Sequence, residues 1–144
     1  MKILMAVDHS KFSGDVVRAL VQQFRTENTE VLVLHVLQPI APAPPQMSPG
    51  YAPELDAQKQ PARELVEGIA KQLQGAGFTV DTAVRVGDVR ETIIDSATEW
   101  KADLIVLASH GQRGIGRFLL GSVPEFVSRH AKCSVEIVRK PSTL

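Results

Sequence analysis

Leu104-Ile-Val-Leu-Ala-Ser-His-Gly-Gln-Arg-Gly-Ile-Gly-Arg-Phe-Leu-Leu-Gly-Ser122 joins a short apolar run to a glycine-bearing loop and then to a helical pattern that continues to His130. A strand that opens into such a loop and then into a helix start makes a natural anion site. Glycine lets backbone approach a ligand, and the first N–H groups of a helix have no partner within it. Gly111, Gly114, Gly116 and Gly121 place four glycines in eleven residues, more than a turn requires.

The same strand–loop–helix logic runs through the rest of the chain. Ile3 to Val7 reads as a buried strand closed by Asp8, and Ser13 to Arg25 as an amphipathic helix carrying Val16, Val17, Leu20 and Phe24 at helical spacing. Val31 to Leu37 is a second apolar run, interrupted only by His35. Residues 38–53 hold six of the nine prolines, which remove donors and block helix, so an irregular loop is expected there. Leu55 to Gln74 returns to helix and Gly75-Ala-Gly77 ends it. Phe78 to Val86 alternates as a third strand.

Asp88 and Glu91 have capping-box spacing ahead of a helix through Trp100. Asp103 to Ser109 is the fourth strand. Ser122 and Glu125 repeat the capping-box spacing at the start of a short last helix, and Val135 to Arg139 is the fifth strand. The alternation β-α-β-α-β-α-β-α-β predicts a doubly wound parallel sheet with helices on both faces. In such sheets ligands bind beyond the C-terminal strand ends, which brings Ala6 to Asp8, Val36-Leu37 and the loop after strand four to one rim.

Composition narrows the function classes. The chain has 144 residues, enough for one domain with a real core, and 44% are hydrophobic. Formal net charge is zero, which gives no electrostatic footprint for nucleic acid or an anionic membrane. The single cysteine, Cys133, cannot close an internal disulfide, in keeping with a cytoplasmic location, and it reads as a small buried apolar group. The first apolar run is too short for a signal peptide, and no run approaches a bilayer span. No cluster of histidine, cysteine and carboxylate has metal-ligand spacing.

The chain resembles the universal stress protein family. The family hallmark Gly-x2-Gly-x9-Gly-Ser/Thr appears as Ala108-Ser-His-Gly111, nine residues, then Gly121-Ser122. Ala6-Val-Asp8 with Ser10, Leu34-His-Val36, Ala102-Asp103 and the closing Val138-Arg139 extend the likeness over the whole chain. The resemblance implies a sheet of order 3-2-1-4-5, of the adenine nucleotide alpha-hydrolase-like type, and a homodimer paired through the last strand, Val135 to Arg139. It also implies ATP or AMP at the rim; Mg2+ is expected with ATP because adjacent phosphates need countercharge and few cations are present in the loop. Asp8 would bond the ribose, with Ala6 nearby, and the Val36 backbone would meet the adenine edge. Leu107 and Ala108 would lie under the nucleotide, and Gly111, Gly121, Ser122 and Val123 would hold phosphates.

The residues leave several roles open. Ala108 stands where the hallmark has its first glycine; close approach alone tolerates a methyl group, whereas a left-handed backbone does not. Ser122 fits an N-cap as well as a phosphate ligand. Arg113 and Arg117 are the nearest cations, open to phosphate or to solvent. His35 reads as a satisfied core or rim histidine and His110 as a loop histidine without a visible partner. An adenine-nucleotide-binding regulator is therefore the leading expectation. A dimeric interaction protein that binds no nucleotide and a slow ATP hydrolase are the alternatives.

Overall fold

A computed structural model describes residues 1–39, 53–110 and 120–139. Nine elements follow in chain order: β1 (Lys2–Ala6), α1 (Phe12–Gln23), β2 (Glu30–Leu37), α2 (Pro53–Gly75), β3 (Thr79–Val86), α3 (Val89–Trp100), β4 (Leu104–Ala108), α4 (Ser122–His130) and β5 (Ser134–Val138). The strands form one parallel sheet of order β3-β2-β1-β4-β5. This is the doubly wound architecture and strand order expected from the sequence.

Both faces of the sheet are buried, which is why the central strands are continuously apolar. On one face Ile3, Met5, Val31, Val33 and Val106 meet Val16 and Leu20 of α1 and Val66, Ile69 and Leu73 of α2. On the other, Leu4, Leu34, Ile105 and Leu107 meet Ile93 and Ala97 of α3 and Val127 of α4. Alternate residues of each central strand therefore serve alternate cores. The edge strand β5 is only half-buried over Val135 to Val138. Cys133 is half-buried against the second core rather than fully enclosed. Partial burial still pushes its thiol upward from the ordinary range.

Local chemistry sets several boundaries. The Asp88 carboxylate accepts from the Glu91 N–H at 3.1 Å, so the expected cap of α3 forms. Gly77 follows α2 with φ +106°, where a side chain would be strained. The second expected cap differs. The N-cap of α4 is Gly121, one residue earlier than the spacing suggested, and no side chain caps this end among the described residues. The Glu125 N–H already donates to the Gly121 carbonyl at 3.1 Å, which leaves the Ser122 hydroxyl no capping role.

Candidate functional site

The C-terminal ends of β1, β2 and β4, together with the start of α4, wall a cavity of about 930 Å3. That is near the top of the ~300–1,000 Å3 range of small-molecule sites. Ala6 and Asp8 line it from the end of β1, Val36 from β2, and Leu107 and Ala108 from β4. Gly121, Ser122 and Val123 line it from the start of α4. Eight positions spread over 118 residues of sequence are thus brought to one place (6 to 123). Gly111 and Arg113 lie outside the described residues. So do Gly114, Gly116, Arg117 and residues 40–52 of the proline-rich stretch.

Asp8 is held by its own turn. Its Oδ1 accepts from the Ser10 N–H at 2.8 Å, the usual Asx arrangement. Its backbone is anchored from α1: the Ser13 hydroxyl donates to the Asp8 carbonyl at 2.8 Å and accepts from the Asp8 N–H at 3.2 Å. Among the described residues Oδ2 has no hydrogen bond, so one carboxylate oxygen remains for a ligand. Turn former and ligand group are therefore compatible roles of one side chain. Ser13 was not a candidate from the sequence, because its partner is known only once α1 is docked.

The end of β2 has an unusual backbone. The Val7 N–H donates to the Leu34 carbonyl at 2.9 Å, and the Gly87 N–H donates to the Leu37 carbonyl at 2.9 Å. Alternation then turns the N–H and C=O of Val36 toward β1. Their ladder partners would be the Val7 carbonyl and the His9 N–H. Neither bond forms among the described residues. The Val7 carbonyl is taken instead by the ring of His35, whose Nδ1 lies 2.7 Å from it. Because a carbonyl only accepts, Nδ1 carries the proton. Val36 thus presents one donor and one acceptor, side by side, to the cavity.

At the opposite end, α4 offers unpaired donors. Pro124 has no N–H and Glu125 is the first residue bonded within the helix, so the N–H groups of Ser122 and Val123 have no partner among the described residues. The Gly121 N–H donates to the Ser109 carbonyl at 2.9 Å and so ties the helix start to the end of β4. A Cβ on Gly121 would stand 3.2 Å from that carbonyl oxygen. Space, rather than a special backbone angle, is what crowds a side chain here, since φ is −63°.

Ala108 is resolved by the same geometry. It is the last residue of β4, its side chain packs with the α1–α2 core, and the only non-glycine residues with positive φ among those described are Asn28 and Lys101. No left-handed backbone is required at position 108, so alanine carries no backbone strain there. His110 differs from its expectation as a histidine without a partner: its Nδ1 is 3.1 Å from the Ser109 hydroxyl, and its buried Nε2 has no partner among the described residues. The described hydrogen bonds of His110 include no carboxylate.

The family model of the universal stress protein family matches residues 1–139. A universal stress protein of Synechocystis is 31% identical over 96% of this chain and 97% of its own length. Among solved structures, the hypothetical protein MJ0577 superposes with a TM-score of 0.80 at 25% identity, covering 99% of this chain and 97% of that one. A universal stress protein in complex with cAMP gives 0.70 at 25% identity, covering 96% of each chain. An Arabidopsis thaliana family member with AMP bound (20% identity, TM-score 0.70, covering 99% and 93%) and an Archaeoglobus fulgidus one with dAMP (23%, 0.67, covering 96% and 97%) share the fold.

Proposed function

The chain belongs to the universal stress protein family, and from that premise we propose that it is an adenine-nucleotide-binding regulatory protein rather than a dedicated enzyme. The observation that carries this reading is the pairing of two complementary ends in one cavity. Val36 supplies a backbone donor and acceptor at one side, and the free N–H groups of Ser122 and Val123 supply an anion site at the other. Adenine offers an acceptor at N1 beside a donor at its 6-amino group, which matches the Val36 pair. A phosphate at the start of α4 gains charge-assisted hydrogen bonds and the helix dipole. Asp8 lies between them at the end of β1, where its Oδ2 would accept from a ribose hydroxyl. Leu107 and Ala108 form the floor.

Solved relatives hold AMP, cAMP and dAMP, three ligands that share the adenine and one phosphate. That supports the nucleotide class and favours a monophosphate-sized core of recognition, with the further phosphates of ATP extending beyond it. Among the described residues no group of three or more His, Cys, Asp or Glu side chains is placed to hold a metal. Mg2+ would therefore arrive on the triphosphate, which would supply most of its ligands together with water. No described helix is long and apolar enough to cross a membrane. With zero net charge and a lone cysteine, the reading is a cytoplasmic protein without nucleic-acid partners.

Titration of the purified protein with AMP, and with ATP with and without Mg2+, tests this reading by calorimetry. Saturable binding below millimolar is expected. Asp8→Ala should weaken AMP by roughly tenfold or more, since a hydrogen bond to a charged group contributes about 1.5–3 kcal/mol. Absence of saturable binding at millimolar nucleotide would leave the dimeric interaction protein as the surviving alternative.

The same family reading makes β5 the dimer edge. The Ser109 N–H donates to the Val138 carbonyl, so Ser134, Glu136 and Val138 face β4. Val135, Ile137 and Arg139 then turn their backbone groups outward, where a second copy would pair with them. Proline at Ile137 removes an outward donor and should yield a folded monomer in sedimentation. Proline at Glu136 would instead break the sheet from within. A dimer that persists in Ile137→Pro places the contact elsewhere.

A further inference from the structure

Val36 could not read a base if its ladder bonds were made. In a regular parallel pair its N–H would close on the Val7 carbonyl, and β1 and β2 would zip one residue further. Two side chains prevent this. Ser13, on α1, bonds both the N–H and the carbonyl of Asp8 and draws the chain away from β2 after Val7. His35 then fills the vacated position and donates Nδ1–H to the Val7 carbonyl at 2.7 Å. This ring is buried, with 8% of its surface exposed, and it lines the cavity. The carbonyl that would capture the Val36 N–H is thus already satisfied.

We propose that His35 is a specificity-determining positioning residue: by occupying the Val7 carbonyl it keeps the Val36 donor–acceptor pair open, and so selects adenine over guanine. This inference rests on the nucleotide reading of the cavity. In one fixed pose adenine places its N1 acceptor against the Val36 N–H and its 6-amino donor against the Val36 carbonyl. Guanine in that pose sets N1–H against the N–H and O6 against the carbonyl, a mismatch at both atoms. Buried mismatches of this kind discriminate strongly, because each leaves polar groups unpaired. A ring that merely filled core space would leave this choice untouched.

The substitution His35→Phe keeps a ring of similar size but removes the donor. The Val7 carbonyl then takes the Val36 N–H. The amide of Val36, read by hydrogen exchange in nucleotide-free protein, should change from unprotected in the wild type to protected in the variant. AMP affinity should fall about tenfold, the upper range for one neutral hydrogen bond, and the AMP-to-GMP preference should shrink with it. Asn carries an amide donor close to the position of Nδ1, so His35→Asn should keep the open amide and most of the preference. A Val36 amide protected in nucleotide-free wild type overturns the proposal, as does an AMP-to-GMP preference unchanged in folded His35→Phe. If His35→Phe fails to fold, the wild-type amide and the Asn variant still decide. Wild-type protein that binds neither nucleotide while its Val36 amide remains open refutes the nucleotide reading, not the role of His35 in the sheet.

Discussion

Replacing Gly121 with valine is expected to lower adenine-nucleotide affinity at least about a hundredfold while far-UV circular dichroism stays native. The two N–H groups at the start of α4 that have no partner among the described residues would each contribute about 1.5–3 kcal/mol when the acceptor is charged, and a hundredfold corresponds to ~2.7 kcal/mol. Losing the aim of both is enough. The cause is steric. A Cβ at Gly121 meets the Ser109 carbonyl oxygen at 3.2 Å, Pro124 Cδ at 3.5 Å and the His110 Cα at 3.6 Å. Alanine requires a shift of a few tenths of an ångström. Valine adds two methyl groups in the same slot, so either the Gly121–Ser109 hydrogen bond breaks or α4 tilts. Overpacking of this kind costs about 1–3 kcal/mol of stability, which a thermal melt reads alongside the titration. Gly121→Ala should fall between wild type and valine in both. Undiminished affinity in Gly121→Val would move the phosphates away from α4.

The features legible in the sequence are those decided locally. Apolar runs, their bounding glycines and the Asp88 cap all depend on residues within a few positions of each other, and the nine elements follow in the expected order with ends within about two residues. The order of strands came with the family pattern, since periodicity alone does not say which strands are neighbours. Ser122 shows where local reading stops. The pattern Ser-x-x-Glu suits a cap, but the end of β4 fixes Gly121 through Ser109, and that contact settles the helix start one residue earlier. His35 shows the same limit over a longer distance: its partner, the Val7 carbonyl, is 28 residues away. A histidine inside an apolar run signals that something polar must meet it, but not what. Ser13 likewise reads as a helix residue until docking of α1 brings it to Asp8. The candidate rim is visible as three segments, and the hydrogen bond from His35 to the Val7 carbonyl is not.

The largest loss of stability is expected from Leu4→Ala, about 3 kcal/mol, within the ~2–5 kcal/mol of fully buried leucine truncations. Leu4 is completely buried on β1, the middle strand of the sheet. It is level with Leu32 on one side and Ile105 on the other, and its cluster is closed by Ile93, Ala97 and Val127. Neighbours held by two ladders and two helices cannot collapse into the space left behind, so the cavity term adds to the lost transfer energy. Val135→Ala, on the half-buried edge strand, should cost about 1 kcal/mol because its surroundings can relax and part of its surface is already wet. Urea unfolding separates the two: the midpoint should fall far more for Leu4→Ala, with an unchanged slope. Equal losses would mean that β1 is not the keystone of both cores. The same measurement links core to site, because Asp8 follows β1 by two residues. A ligand at a hundred times its dissociation constant adds about 2.7 kcal/mol to a folded state that binds it. If Leu4→Ala weakens only the core and leaves the rim intact, saturating AMP should restore most of the lost stability and raise wild type by the same increment.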